Sequence, residues 1–358
     1  MKSYSCWIQS SLFARYADRV STTSRDVARV AGVSQSTVSR VLQNRGNVEE
    51  STRQRVLKAL EDTGYVPNLQ ARAMRMRRSG LVGVVTGSIT NPFYPELLDG
   101  LARALAGADL RMALWTADEP ASSTVAVQAI QGGAADGLIF TTATPSDPAL
   151  REAVAQHLPI VLVNRSISGL HCDQVTSDNV AGGQLVAEYF LAHGRTEVAV
   201  VGGSDLISTG RERRQGFVSA MAENGIEIPP HRQPECDYTH DAAVNVGLEL
   251  LGHPNPPSAV FCVNDLVAFG IQDAAFRLGV AVPDALWVAG YDDIPMAAWD
   301  RIDLTSVRQP IESLAKVAVE CLLKRITNPD EPYEHRRFGA ELAVRGSTAG
   351  APPPPDAI

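Results

Sequence analysis

Two hydrophobic rhythms divide the chain. Between Arg25 and Leu42 (RDVARVAGVSQSTVSRVL) apolar residues recur at helical spacing in two short runs separated by Gly32. Ala28, Val30 and Ala31 are small and apolar, which lets a second helix pack close to the first. Gly32 permits the positive φ of a sharp turn. Ser34 is placed to cap the second helix, and Val38 and Val41 fall on its inner face at i, i+3. Gln35, Ser36, Ser39 and Arg40 are left facing outward. Tyr65-Val66-Pro67-Asn68 stops a third helical run, and Leu69 to Arg78 is rich in Ala, Met and Arg but too short to hold a helix alone.

From Leu81 the rhythm changes. LVGVVT (81–86), RMALWTA (111–117), GLIFTT (137–142) and PIVLVN (159–164) are apolar runs of strand length. PELLDGLARALAGAD (95–109) and VAVQAIQGGAAD (125–136) between them have helical spacing. The alternation restarts with AGGQLVAEYFLAHG as a helix and continues through strands at VAVVGG (198–203), SAVFCVN (258–264) and LWVAGYDD (286–293). Strands alternating with helices of 10–15 residues predict parallel βαβ units. The expected organisation is two consecutive α/β halves, before and after about residue 165. The expected boundaries are an extension at 1–22, a head at 23–68, a linker at 69–80, a core at 81–346 and a disordered tail at 347–358 with Pro352 to Pro355.

Charge changes the picture. The net charge of −8 speaks against a nucleic-acid partner until it is divided along the chain. Residues 23–80 hold eleven Lys/Arg against five Asp/Glu, a net +6, and residues 1–22 carry +2, which leaves −16 for residues 81–358. A basic head on an acidic body suits a DNA reader tied to a core that does not touch DNA. Gln pairs bidentately with adenine, and Ser or Arg reaches bases or phosphates, so the outward face of the second helix fits a DNA groove; an ordinary polar helical hairpin has the same spacing.

Other chemistries find little support. Cys6, Cys172, Cys236, Cys262 and Cys321 are scattered, with no CxxC pair and no zinc spacing, as expected of reduced thiols in the cytoplasm. The first 22 residues lack an apolar stretch of signal-peptide length, and no run approaches the roughly 20 residues of a membrane helix. GxSxG, a P-loop and GxGxxG are missing, and the seven histidines show no HExxH spacing, so neither catalysis, metal nor cofactor is expected. A solute receptor for transport would share the α/β core; the basic head and the lack of a signal peptide separate the two readings.

Residues 23–78 (DVARVAGVSQSTVSRVLQN, then TRQRVLKALEDTGYVPN, then a short linker) resemble the headpiece of the lactose/galactose-repressor (LacI/GalR) family of bacterial transcription regulators. The resemblance implies a helix-turn-helix head whose Gln35-Ser36 read an operator, with Thr23, Ser34, Thr37, Ser39, Arg40 and Asn47 beside them. It also implies a hinge helix over about 69–76, formed in the minor groove when two subunits meet, with contacts at Asn68 and Ala71 and an apolar wedge. Two departures stand out. The wedge position, usually Leu, is Met74, which is less rigid. The Ser that usually caps the third helix is Glu49, compatible with the helix dipole.

Residues 81–346 are similar to the family's effector core, which implies two doubly wound parallel-sheet lobes of the periplasmic-binding-protein kind, with the ligand between them at the strand ends. Phe93 and Tyr94 are expected to stack on a sugar's apolar face, Arg213 to donate a hydrogen-bond fork, and Asp292 to accept two hydroxyls. Arg165, Tyr238 and Asn264 complete the expected set. Asn91-Pro92 either turns the chain or meets the ligand, and Asp178-Asn179 either caps a helix starting at Val180 or faces the cleft. Asp265 either caps the helix after strand 258–264 or meets the ligand, and Trp299 either lines the pocket or packs. The implied protein is a cytoplasmic homodimeric repressor of carbohydrate-use genes, answering to a sugar-like small molecule, bound to operator DNA and to no membrane.

Overall fold

The computed structural model describes residues 22–42, 46, 48–65, 78–116 and 122–348. The chain divides into two compact units, residues 1–77 and 78–358.

In the first unit, α1 (Ser24–Ala31), α2 (Gln35–Leu42) and α3 (Glu50–Thr63) close around Val27, Ala28, Ala31, Val38, Val41, Val56 and Ala59. Thr23 caps α1 in a reciprocal box: its amide donates to Asp26 Oδ2 at 3.0 Å, and the Asp26 amide donates to Thr23 Oγ1 at 3.4 Å. Such a cap contributes about 1 kcal/mol. Gly32 takes φ +65° and ends the helix. Ser34 Oγ accepts the Thr37 amide at 3.2 Å, so the expected cap of α2 forms. Val30 differs from expectation, being 55% exposed. One turn of α1 brings Val27 and Ala31 onto a common face, with Ala28 beside them, and Val30 falls outside that stripe. Glu49 precedes α3 without a side-chain capping bond.

The second unit holds two sheets. The first contains β1 (Leu81–Thr86), β2 (Arg111–Thr116), β3 (Gly137–Phe140), β4 (Ile160–Val163), β5 (Asp173–Ser177) and β10 (His335–Phe338), all parallel, in the order β10-β5-β4-β3-β1-β2. Helices α4 (Phe93–Gly107), α5 (Ser122–Gln131), α6 (Pro148–Ala155) and α11 (Ile311–Thr327) cover it. Leu97, Leu98, Leu101 and Leu105 bury one face of α4 against α11, as their spacing predicts. The second sheet has the order β11-β9-β8-β7-β6. Its strands are β6 (Val198–Val201), β7 (Ala259–Cys262), β8 (Trp287–Asp292) and β9 (Thr305–Arg308), all parallel, with β11 (Glu341–Ala343) antiparallel at the edge. Helices α7 (Asn179–Ala192), α8 (Ser208–Glu223), α9 (His240–Leu251) and α10 (Asp265–Leu278) belong to it.

The expected two-lobed α/β core is therefore present, but its lobes are not consecutive halves. The chain crosses from the first sheet to the second after β5, returns after β9, and crosses again between β10 and β11. The crossings meet: Ser177 Oγ donates to Gln309 Oε1 at 2.7 Å, and the Asp178 amide donates to the Phe338 carbonyl at 2.7 Å. Helix α5 ends at Gln131 before Gly132 and Gly133, earlier than its apolar pattern suggests. Ser347 and Thr348, expected in a disordered tail, are buried and bonded to β8 and β9. No helix among the described residues is long and apolar enough to cross a membrane.

Close backbone approach positions the site. A Cβ on Gly183 would collide with the Arg213 carbonyl, and one on Gly216 with the Val180 carbonyl. Helices α7 and α8 thus touch backbone to backbone, which sets the start of α7 against Arg213 on α8.

Candidate ligand cleft and DNA-reading face

On the head, the buried Val38 and Val41 leave the other side of α2 to polar groups. Ser34, Gln35, Ser36 and Arg40 are exposed, and Thr37 and Ser39 are half-buried. Gln35 Nε2 donates to Ser24 Oγ at 2.7 Å, and the Ser34 hydroxyl lies 2.7 Å from that of Ser36. These contacts hold short donors and acceptors outward at the opening of α2. Thr23, expected at DNA, is the exposed cap of α1. Asn47, Asn68, Ala71 and Met74, and with them the expected hinge helix, lie outside the described residues.

In the core, a cleft of about 310 Å³ opens where the carboxyl ends of both sheets face each other. Ser88, Asn91, Phe93, Tyr94, Thr142 and Arg165 line it from the first lobe. Thr209, Arg213, Tyr238, Asn264 and Asp292 line it from the second. All seven residues expected to meet a ligand stand together here, although 199 positions separate Phe93 from Asp292.

The second-lobe wall is bonded to itself. Arg213 and Asp292, about 5% exposed, pair at 3.1 Å. Arg213 Nε donates to Asn179 Oδ1 at 2.9 Å, its Nη1 donates to the Val263 carbonyl at 2.8 Å, and the guanidinium lies 3.6 Å from the Tyr291 ring centre. Asp292 Oδ1 also accepts from Gln309 Nε2 at 2.6 Å. Burial pushes the Asp292 carboxyl up to about 6, while Arg213 and the Gln309 hydrogen bond pull it down. Glu212, behind the wall, accepts from Asn179 and from Ser166 Oγ.

The first-lobe wall is less satisfied. Arg165 follows β4 and is 7% exposed. Its Nη2 donates to the Tyr94 hydroxyl at 3.3 Å, and its Nε is buried without a partner among the described residues. The Tyr238 hydroxyl across the cleft is likewise buried and unpartnered. Burial raises the Tyr238 phenol, against the pull of Arg165 and Arg213. Asn164, just past β4, and Asp292, the last residue of β8, take positive φ, +72° and +112°. Strained backbone of this kind costs about 1–3 kcal/mol per residue and gathers at ligand clamps.

Several readings from sequence shift. Asn264, not Asp265, caps α10, accepting from the Val267 amide at 2.8 Å. Asp265 is wholly buried beneath the cleft and accepts from Ser306 Oγ and the Ile294 amide. Burial beside Asp292 raises it far above the ordinary carboxylate range. Asp178 caps α7, which starts at Asn179, one residue early, and so presents Asn179 to Arg213. Asn91 turns the chain, accepting from the Phe93 amide, and also lines the cleft. Trp299 is 60% exposed and outside the cleft lining. Sequence reasoning missed Thr142 and Thr209 in the lining, and Gln309 behind it. Strand-end placement was a usable signal for Thr142, just beyond β3; Gln309 carried none.

Known proteins resemble both units. Residues 23–68 match the family model for bacterial regulatory proteins of the lacI family, and residues 187–348 match a periplasmic binding protein-like domain. The HTH-type transcriptional regulator DegA of Bacillus subtilis is 32% identical over 332 residues, 92% of this chain and 98% of that protein. The ribose operon repressor of Escherichia coli is 30% identical over 329 residues, 91% and 99% of the two chains. Among solved structures, the transcriptional regulator CelR in complex with cellobiose aligns with a TM-score of 0.71 at 28% identity, over 91% of this chain and 99% of that one.

Proposed function

The chain belongs to the LacI family of bacterial regulatory proteins, and from that premise we propose that it is a homodimeric, cytoplasmic operator-binding repressor answering to a small polyhydroxylated effector in the core cleft. The observation that carries the effector half is the convergence of hydrogen-bonding side chains from both lobes onto one cleft at the strand ends. The cellobiose complex of CelR supports a sugar-like ligand. For the DNA half, the net +6 head supplies phosphate attraction, and Gln35, Ser36 and Arg40 supply base-reading groups.

Control follows from the wiring. A ligand on Asp292 touches a carboxylate tied through Gln309 to Ser177, where the chain passes between lobes. Ligand occupancy and lobe angle are then linked, and the effector shifts the population by the difference between its affinities for the two angles. The cleft binds without turnover in this reading. Asp292 is its one lining carboxylate among the described residues, and Arg213 and Gln309 occupy it.

The test is operator selection from random duplex DNA, followed by anisotropy titrations in a salt series. The expected result is a half-palindromic site bound at least 10³-fold tighter than random DNA at physiological salt. Equal affinity for both would end the repressor reading.

A further inference from the structure

We propose that the effector is an acidic sugar, a polyhydroxylated carboxylate whose carboxyl group is held by Arg165 while its hydroxyls meet Asp292 and the cleft amides. This deepens the effector reading above and rests on it.

Four arginines are buried among the described residues: Arg165, Arg213, Arg232 and Arg325. Arg213 pairs with Asp292 at 3.1 Å, Arg232 with Glu197 at 2.5 Å, and Arg325 with Asp173 at 3.0 Å. Arg165 has no carboxylate within ion-pair distance among the described residues. Its partner there is a neutral phenol, Tyr94, at 3.3 Å. A buried cation without a counter-charge is costly, and proteins keep one chiefly where something else supplies the charge.

The geometry says which edge is open. The unpartnered Nε and the lightly bonded Nη2 form one side of the guanidinium, and that side accepts a carboxylate in two parallel hydrogen bonds. The unpartnered Tyr238 hydroxyl is a further donor lining the same cleft. Among the charged lining residues, Arg213 and Asp292 cancel and Arg165 is left over, one net positive charge. A neutral sugar would satisfy the hydrogen bonds and leave that charge uncompensated. The cleft of about 310 Å³ lies at the small end of ligand pockets, roughly 300–1,000 Å³. Phe93 and Tyr94 give it an apolar flank and Asn264 and Asn91 polar ones, which suits a sugar acid better than a bare inorganic anion.

Calorimetric titration of the full chain with matched pairs tests this: D-galacturonate against D-galactose, and D-glucuronate and D-gluconate against D-glucose. At least one acid should bind tenfold or more tighter than its neutral partner. Arg165→Gln should erase that preference, and Arg165→Lys, which keeps the charge but not the fork, should retain part of it. The wild-type comparison stands even if a variant fails to fold. A neutral sugar binding as tightly as its acid overturns the inference, as does an Arg165→Gln variant that weakens both members equally. If only neutral sugars bind, the inference falls and the effector cleft survives; if neither set binds, both fall.

Discussion

Arg213 and Arg165 face one cleft from opposite lobes, both buried, in opposite electrostatic states. Arg213 is enclosed by a carboxylate, an amide oxygen, a backbone carbonyl and an aromatic face. Arg165 has a single hydroxyl acceptor and an orphaned Nε. The Arg213–Asp292 part of the second-lobe wall is therefore paired before any ligand arrives, held by contacts that reach the lobe crossing through Gln309, and the Tyr238 hydroxyl is what that wall leaves without a partner among the described residues. The first-lobe wall is unfinished. A ligand that supplies the bonds missing at Arg165 while touching Asp292 joins the two lobes and couples its own binding to the angle between them.

The largest effect expected from breaking this contrast is on stability at the finished wall. Asp292→Ala leaves Arg213 buried without a counter-charge, and removing one member of a buried pair costs about 3–5 kcal/mol. Urea unfolding followed by the fluorescence of Trp115, Trp287 and Trp299, all in the core unit, measures it. A loss below 1 kcal/mol would mean that the pair is not what holds that wall. Arg165→Met probes the unfinished wall and should differ in kind. It deletes a cation already lacking a carboxylate, so stability should fall by less than about 1 kcal/mol or rise, while affinity for an acidic sugar drops. A loss as large as that of Asp292→Ala would show that Arg165 is as well compensated as Arg213.

The head was legible from sequence because its instructions are local. Gly32, the Ser34 cap and the Val38/Val41 stripe lie within ten residues of one another, and helical geometry does the rest. Val30 was misplaced because Val27, Ala28, Val30 and Ala31, four apolar residues in five, cannot all fit one stripe of a short helix. The seven cleft residues were legible by resemblance and by strand-end position. The crossings were not, because alternating strands and helices describe each βαβ unit without saying which sheet it joins. The Ser177–Gln309 bond joins residues 132 positions apart, and nothing in either neighbourhood announces the other. Arg165 alone also looked like any strand-end arginine; its significance appears only when every other buried arginine is seen to have its carboxylate.

The central claim is that occupancy of the cleft governs the hold on DNA. The direct measurement is the operator Kd of the full-length protein by anisotropy, without ligand and with a saturating sugar shown by calorimetry to bind. Operator Kd should change by at least about fivefold, with an equal reciprocal change in sugar Kd when operator is present. A sugar that binds the cleft while leaving operator Kd unchanged would contradict it.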